Sequence, residues 1–110
     1  MNIQLFPFQT QDWSAVERTE HKGETGVAYW QTLYVNAIRV RKVEYSPGYK
    51  ADHWCSKGHI IYCVDGELMI KLKDGTQIEL SEGQSIQLLG DDANPHITIS
   101  DGGCKLLVVD

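Results

Sequence analysis

"ADHWCSKGHIIYCVDGE", residues 51–67, carries the features that decide how this chain folds and what it binds. Two histidines and two cysteines fall within residues 53–63. A Pro-Gly turn signal at 47–48 precedes them, and an Asp-Gly turn signal follows at 65–66. Between the turn signals, residues 59–64 are rich in β-branched and aromatic side chains, which predicts a β-strand. The stretch therefore predicts a strand that carries metal-binding types of side chain.

Similar strand patterns recur along the whole chain, each closed by a turn signal built from Gly, Pro, Asn or Asp. The predicted strands cover 27–35, 38–45, 59–64, 68–72, 76–80, 85–89, 96–100 and 105–109. Only residues 11–20 allow a short helical turn, with Asp12 as its cap. Several short strands at this spacing are typical of a sandwich, a jelly roll or a small barrel, so we predict an all-β fold.

Length and charge exclude several classes of protein. A chain of 110 residues has room for one domain, and a net charge of −5 without a long basic cluster disfavours nucleic-acid binding. The sequence begins with no recognisable signal peptide and has no apolar run long enough to span a membrane, so we predict a cytoplasmic protein without membrane association. Three cysteines, Cys55, Cys63 and Cys104, are an odd set that predicts reduced thiols.

The histidines and cysteines alternate in a way that predicts a shared site. If residues 53–55 are extended, His53 and Cys55 project from the same face. His59 opens the next strand, and a bend at 56–58 would let it face the first two. His96, which begins another predicted strand, is a fourth candidate. The candidate ligands are thus three imidazoles and one thiol.

These four side chains suit one divalent transition metal, because nitrogen and sulfur ligands together favour Zn, Fe or Ni over Mg or Ca. The spacing also allows a second interpretation. In that case His53 and His59 are half-exposed loop residues, and Cys55 is a small buried side chain that packs like other apolar groups. Spacing alone leaves both interpretations open.

The run from 46 to 96 resembles the two-part signature of the cupins. The first cupin motif has a Gly, a His-x-His pair, a Glu and a second Gly at set spacing, and the second motif runs from a Gly to a His. The positions here that match the two motifs are Gly48, His53, Cys55, His59, Gly66, Gly83 and His96. The whole chain is also similar to a group of small cupins with an "ADHWC-x-KGH" segment.

This resemblance implies a jelly-roll β-barrel in a single domain over 1–110, with the barrel core at about 36–110 and the segment 1–35 adding edge strands. It implies a small-molecule ligand, a homodimer and one divalent transition metal per chain. Sulfur would replace the carboxylate ligand that most metal-binding cupins have. The implied metal ligands are His53, Cys55, His59 and His96.

Two further groups are candidates for chemistry. If residues 19–30 fold over the barrel mouth, Glu20 and His21 become candidate catalytic residues for proton transfer; the alternative is a solvated hairpin turn. Arg39 and Arg41 share one face of a strand. We expect this pair to face solvent, and the alternative is that the pair holds an anionic substrate.

Three functional hypotheses follow. The first is a metal-dependent cupin enzyme that acts on a small organic molecule, with chemistry of the oxygenase, isomerase or lyase type. The second is a non-catalytic cupin that binds or senses a small ligand or a metal. The third has no metal, with Cys55 as a redox-reactive thiol activated by His53 and His59.

Overall fold

The computed structural model describes residues 5–88 and 95–110. Within these residues it has nine β-strands and a short 3-10 turn at Trp13–Ala15, so the predicted all-β class is confirmed. No helix in the described part of the chain is long and apolar enough to cross a membrane. The strands are β1 (Arg18–Lys22), β2 (Val27–Val35), β3 (Ile38–Tyr45), β4 (Tyr49–Lys50), β5 (His59–Leu72), β6 (Gln77–Ser81), β7 (Ser85–Leu88), β8 (His96–Ser100) and β9 (Cys104–Val109).

All strand pairs are antiparallel, and they form two curled sheets that share β5. The first sheet has the order β1-β2-β3-β9-β5-β7, and the second has the order β6-β5-β8-β4. A sheet that curls back on itself in this way gives the jelly-roll half-barrel that the sequence predicts. The inner faces of the two sheets enclose the core and the site described below.

The shared strand β5 differs from the sequence prediction. We expected two strands, 59–64 and 68–72, with a turn at the Asp-Gly pair, but one continuous strand covers both. A β-bulge between Cys63 and Asp65 bends the strand, and Gly66 has a positive φ of 83°. A side chain at Gly66 would clash with the carbonyl oxygen of Gly103, so only glycine allows the bend. The bend carries β5 from one sheet into the other without reversing the chain.

The N-terminal part of the described chain forms a hairpin. The Asp12 side chain caps the 3-10 turn by accepting a 3.0 Å hydrogen bond from the Ser14 backbone N–H, as expected. Strand β1 was not predicted, because its sequence is almost entirely polar and gives no apolar alternation. It is an edge strand whose one partner among the described strands is β2, with His21 opposite Ala28. Residues 19–30 thus have the hairpin conformation that was the alternative to a cover over the barrel.

The apolar core lies between the two sheets and is built from alternate residues of the strands. In β5, for example, His59, Ile61 and Cys63 are buried while the residues between them are exposed, as the alternation predicts. The buried apolar cluster consists of Val43, Ile61, Cys63, Leu68, Ile70, Leu80, Leu88, Cys104, Leu106 and Val108. Buried polar side chains, among them Arg41, His59 and His96, lie on the same inward faces.

Candidate metal centre

Three of the four sequence-predicted ligands meet between the sheets. Cys55, His59 and His96 each offer a ligand atom, and these atoms all lie within 4.8 Å of one another. The Cys55 Sγ and the His59 Nε2 are 3.3 Å apart, and the rings of His59 and His96 meet edge to face with centroids 5.2 Å apart. Both histidines are buried. We call this group the ligand trio.

Backbone pairing holds the ligand trio in place. Cys55 and His96 form an isolated antiparallel bridge, in which each backbone N–H donates to the other residue's carbonyl, at 2.8 and 3.0 Å. His96 opens β8 in the second sheet, whereas His59 opens β5 and is paired with Leu88 of β7 in the first. The site therefore joins the ends of strands from both sheets.

His59 is oriented by a buried carboxylate. Its Nδ1 donates a 2.9 Å hydrogen bond to Oδ2 of Asp110, whose side chain is only 1% exposed. Burial raises the pKa of Asp110, but the hydrogen bonds from Arg39 and the charges of Arg39 and Arg41 outweigh that effect and hold it at about 2. Asp110 is therefore ionised at neutral pH and can only accept a hydrogen bond, which assigns the proton to Nδ1 of His59.

The other ring nitrogen of His59, Nε2, is consequently unprotonated and has a lone pair. Burial lowers the pKa of His59 to about 4, with His96 and Arg41 adding to the shift and Asp110 opposing it. At neutral pH the ring is uncharged, so Nε2 carries no proton and points its lone pair towards the Cys55 sulfur. This is the tautomer that a metal ligand requires.

The two arginines of β3 face inward, and the expectation of a solvent-facing pair is wrong. Arg39 binds Asp110 through two hydrogen bonds of 2.8 Å, from Nε and Nη2, and Arg41 adds a longer one of 3.3 Å from Nη2. β3 pairs with β9 so that Arg41 lies opposite the buried Val108, and this register points both guanidinium groups towards the interior. The buried carboxylate compensates part of their charge there.

Asp110 is the functional residue that sequence reasoning missed. Leu106, Val108 and Asp110 alternate along the last strand and its end, and the first two are buried core residues. The period of two places the carboxylate on the same inward face. The pattern was present in the sequence, but an acidic residue at the end of a strand is usually solvated and gave no separate signal.

The ligand trio opens onto a cavity of about 380 Å³. Its polar lining includes both inward arginines, Lys57 and the hydroxyl groups of Tyr45 and Thr98, which are hydrogen-bonded to each other at 3.0 Å. No Asp or Glu in the described part of the chain lines it. The apolar lining consists mainly of Trp30, Val43, Ile61, Ile97, Leu106 and Val108. The cavity is large enough for a small organic molecule.

His53, the fourth predicted ligand, lies at this cavity but outside the ligand trio. Its side chain is 75% exposed, and its Nδ1 is 2.6 Å from Oδ1 of Asp52. The prediction assumed an extended chain at 53–55, whereas the backbone bends at 52–53, and the imidazole is not among the ligand atoms that converge with Cys55. His53 still lines the cavity, so it faces the same space as the ligand trio.

The two candidate catalytic residues, Glu20 and His21, lie on the edge hairpin. The His21 ring stacks on Trp30 with centroids 3.8 Å apart, and its Nε2 is hydrogen-bonded to the Thr19 hydroxyl at 2.8 Å. Glu20 is exposed. Neither residue is among the described residues that line the cavity, although Trp30 is.

The ligand trio fits a transition metal in its chemistry. Two nitrogens and one sulfur are the donors that Zn, Fe and Ni accept, and tetrahedral sites separate such ligand atoms by roughly 3.5 Å. The observed separations have this scale. A carboxylate behind a ligating histidine is also the usual outer partner in metal sites, and Asp110 supplies it.

Solved structures with the same fold include proteins described as cupins. The chain superposes on a sugar phosphate isomerase of the cupin superfamily from Silicibacter pomeroyi with a TM-score of 0.71 and 17% identity, covering 92% of this chain and 74% of that one. An RmlC-like cupin from Shewanella frigidimarina gives 0.73 and 18%, covering 94% and 90%. Ectoine synthase from P. lautus gives 0.74 and 13%, covering 93% and 76%.

No protein-family model and no curated protein matches the sequence. At these identities the structural similarity establishes the fold and leaves activity open. The chain has the cupin jelly roll, as the spacing of its two motifs predicted.

Proposed function

We propose that this protein of cupin fold binds one divalent transition metal per chain and acts with it on a small organic molecule. The metal would be Zn, Fe or Ni, held by the ligand trio of Cys55, His59 and His96. The observation that carries the proposal is that these three ligand atoms converge at the wall of a cavity of about 380 Å³.

Three protein ligands support a reactive site, because a catalytic metal needs a position for water or substrate. When bound, such a metal supplies Lewis-acid polarisation of a substrate oxygen. Asp110 fixes the orientation of His59 and holds its proton on Nδ1. The apolar walls can pack against the apolar part of a substrate, and the hydroxyl groups of Tyr45 and Thr98 can bind one of its polar groups.

The proposed reaction is of the isomerase, lyase or oxygenase type. Proteins with similar structures include a sugar phosphate isomerase, ectoine synthase and a polyketide cyclase, so the fold supports several chemistries on small molecules. Isomerase, lyase and oxygenase chemistry all fit a single transition metal beside a cavity. The proposal includes proton transfer by Glu20 or His21, which would need the edge hairpin to approach the cavity.

A second candidate function is a non-catalytic cupin that binds or senses a metal or a small ligand. The observation that favours it is the position of His53 on the cavity wall. If that imidazole became a fourth ligand, the coordination would be a closed tetrahedron without a position for substrate. The free cysteines fit a reducing compartment such as the cytoplasm in either case.

Elemental analysis of protein purified without a histidine tag tests the proposal. We expect about one equivalent of Zn, Fe or Ni per chain, and its loss in Cys55→Ala and in His96→Ala. Cys104→Ala is the matched control, because it removes a buried thiol that belongs neither to the ligand trio nor to the cavity lining and should retain the metal. Wild-type protein without transition metal would refute the proposal and leave the metal-free thiol hypothesis.

Two further variants test whether His53 closes the metal site and whether His21 transfers a proton. Full metal retention in His53→Ala favours the three-ligand, reactive site, whereas metal loss favours the closed site. His21→Ala should leave the metal content unchanged and lower turnover if this residue transfers a proton. Unchanged turnover in His21→Ala would remove that role.

A further inference from the structure

The described side chains that line the cavity carry positive charge without matching negative charge. Arg39, Arg41 and Lys57 line it, and no carboxylate in the described part of the chain does. Asp110 lies behind the arginines with its side chain 1% exposed. The described part of the lining is therefore cationic in a protein whose net charge is −5.

The buried carboxylate of Asp110 does not satisfy both arginines. Asp110 receives two 2.8 Å hydrogen bonds from Arg39 and one of 2.9 Å from His59. Arg41 reaches it only through Nη2, at 3.3 Å. The Nε of Arg41 is buried and has no hydrogen-bond partner among the described residues. Asp110 thus accepts hydrogen bonds from three side chains, and the one from Arg41 is the longest.

Arg41 therefore remains a buried cation with incomplete compensation. The residue is 7% exposed, and its guanidinium lies over the Trp30 ring at 4.5 Å, which offsets part of the cost of burial. Burial and the neighbouring Arg39 lower the pKa of Arg41, as expected for a cation short of counter-charge. A buried charge is costly unless it is paired, so a second anion beside Arg41 would be stabilising.

The other residues of the cavity lining indicate what kind of molecule carries that anion. Apolar side chains such as Val43, Ile61 and Leu106 form much of the wall, and the ligand trio contributes Cys55 and His59 to it. An ion surrounded by water would gain little from such walls. An occupant with one anionic group and a compact apolar body matches both parts of the lining.

We propose that the cavity binds a small organic acid, with its carboxylate on the guanidinium of Arg41 and its apolar body against Val43 and Leu106, beside the ligand trio. The planar fork of arginine matches a carboxylate through two parallel hydrogen bonds. This assignment names the substrate class for the proposed function and rests on it, since the acid would lie next to the metal.

Calorimetric titration with matched probes tests the assignment on the zinc-loaded protein. Benzoate and benzamide have the same shape and differ in charge, so we expect benzoate to bind at least tenfold more tightly. Inorganic phosphate supplies an anion without an apolar body and should bind more weakly than benzoate. Equal binding of benzoate and benzamide, or tighter binding of phosphate, would overturn the assignment.

Variants of β3 locate the binding group. Arg41→Gln should weaken benzoate binding at least tenfold, and Arg41→Lys should lie between Arg41→Gln and wild type because lysine retains the charge without the fork. Lys42→Gln is the matched control, since Lys42 is the next residue of the same strand and points to the exposed face. Unchanged binding in Arg41→Gln, or equal weakening in Lys42→Gln, would contradict the role of Arg41.

Metal content and melting temperature are measured on the same preparations. A protein that takes up no metal refutes the proposed function, whereas a metal-loaded protein that does not distinguish benzoate from benzamide refutes only the organic-acid assignment. If Arg41→Gln does not fold, the comparison of the two probes on the wild-type protein decides the question by itself.

Discussion

Asp110 and His59 are joined by a 2.9 Å hydrogen bond, although they are 51 residues apart in the sequence. The carboxylate holds the proton of the imidazole on Nδ1 and leaves Nε2 facing Cys55. The same carboxylate compensates the inward arginines. One side chain therefore links the metal ligands to the cationic wall of the cavity.

Replacing Asp110 should weaken metal binding without removing a ligand. In Asp110→Asn the charge is lost and the orientation of His59 is less strictly defined, so we expect the metal affinity to fall by about 10- to 100-fold. Competition with a chromophoric zinc chelator measures the affinity. Asp101→Asn is the control, because Asp101 is an exposed carboxylate outside the cavity lining. An affinity in Asp110→Asn equal to that of the wild type would contradict the orienting role.

Metal should protect one thiol from chemical modification. Cys63 and Cys104 are 0% and 5% exposed, so Cys55 is the cysteine accessible to a thiol reagent. We expect no fast-reacting thiol in the metal-loaded protein and one after chelation, and the fast phase should vanish in Cys55→Ala. The reaction is followed spectrophotometrically. A Cys55 that reacts equally fast before and after chelation would support the metal-free redox hypothesis instead.

Stability should fall at alkaline pH because of a buried thiol. Burial raises the pKa of Cys104 from 9.0 to about 11. Since the folded pKa lies above the unfolded value, the contribution of this thiol to stability is intact below about pH 9 and is lost as the pH rises towards 11. Between pH 9 and 10 the free energy of unfolding in urea should drop by ~1 kcal/mol more in the wild type than in Cys104→Ala.

Cys104→Ala also leaves a cavity that lowers the free energy of unfolding, but by the same amount at both pH values. The cavity therefore does not affect the change in free energy between pH 9 and 10, which is the quantity compared. Other groups that titrate in this range contribute equally to both proteins. Parallel pH profiles would mean that the Cys104 thiol does not contribute to the alkaline loss of stability.

The protein should form a homodimer, which light scattering would detect as twice the mass of one chain. The outward face of β5 presents three partly exposed apolar side chains in a row, Ile60, Tyr62 and Val64, at 43%, 42% and 46%. Such a row is a candidate contact between copies. Tyr62→Lys should shift the protein towards the monomer, whereas Gln77→Lys, with the same change of charge on β6, should not. A monomeric wild-type protein would end this prediction.

The strand rhythm and the ligand trio were predictable from the sequence because both depend on local alternation. Residues 59–64 alternate as expected, with His59 inward, and the cupin spacing connects this strand to His96. Cys55 joins them through a backbone bridge to His96, outside the predicted bend at 56–58. Period-two patterns survive folding where one face is buried, which is why the strands and their inward faces were predictable, whereas the metal-ligand roles of these residues stay predictions.

The remaining features depend on contacts that local patterns do not encode. His53 lies outside the ligand trio where the backbone bends at 52–53, a bend that the sequence pattern did not predict. The inward direction of Arg41 depends on the register of β3 against β9, which places it near Asp110 at the far end of the chain. Charged residues are interpreted as solvent-facing by default, so a buried pair of opposite charges is recognised only when both strands are seen together.

The bridge between Cys55 and His96 means that the metal site comes into existence only when the two sheets have closed on each other. An unfolded chain keeps Cys55 near His59 but has no third partner, so it would hold a metal far more weakly than the native state. A bound ion would therefore stabilise the folded barrel against unfolding. At a free metal concentration of 100 times the dissociation constant it would add about 2.7 kcal/mol to the free energy of unfolding.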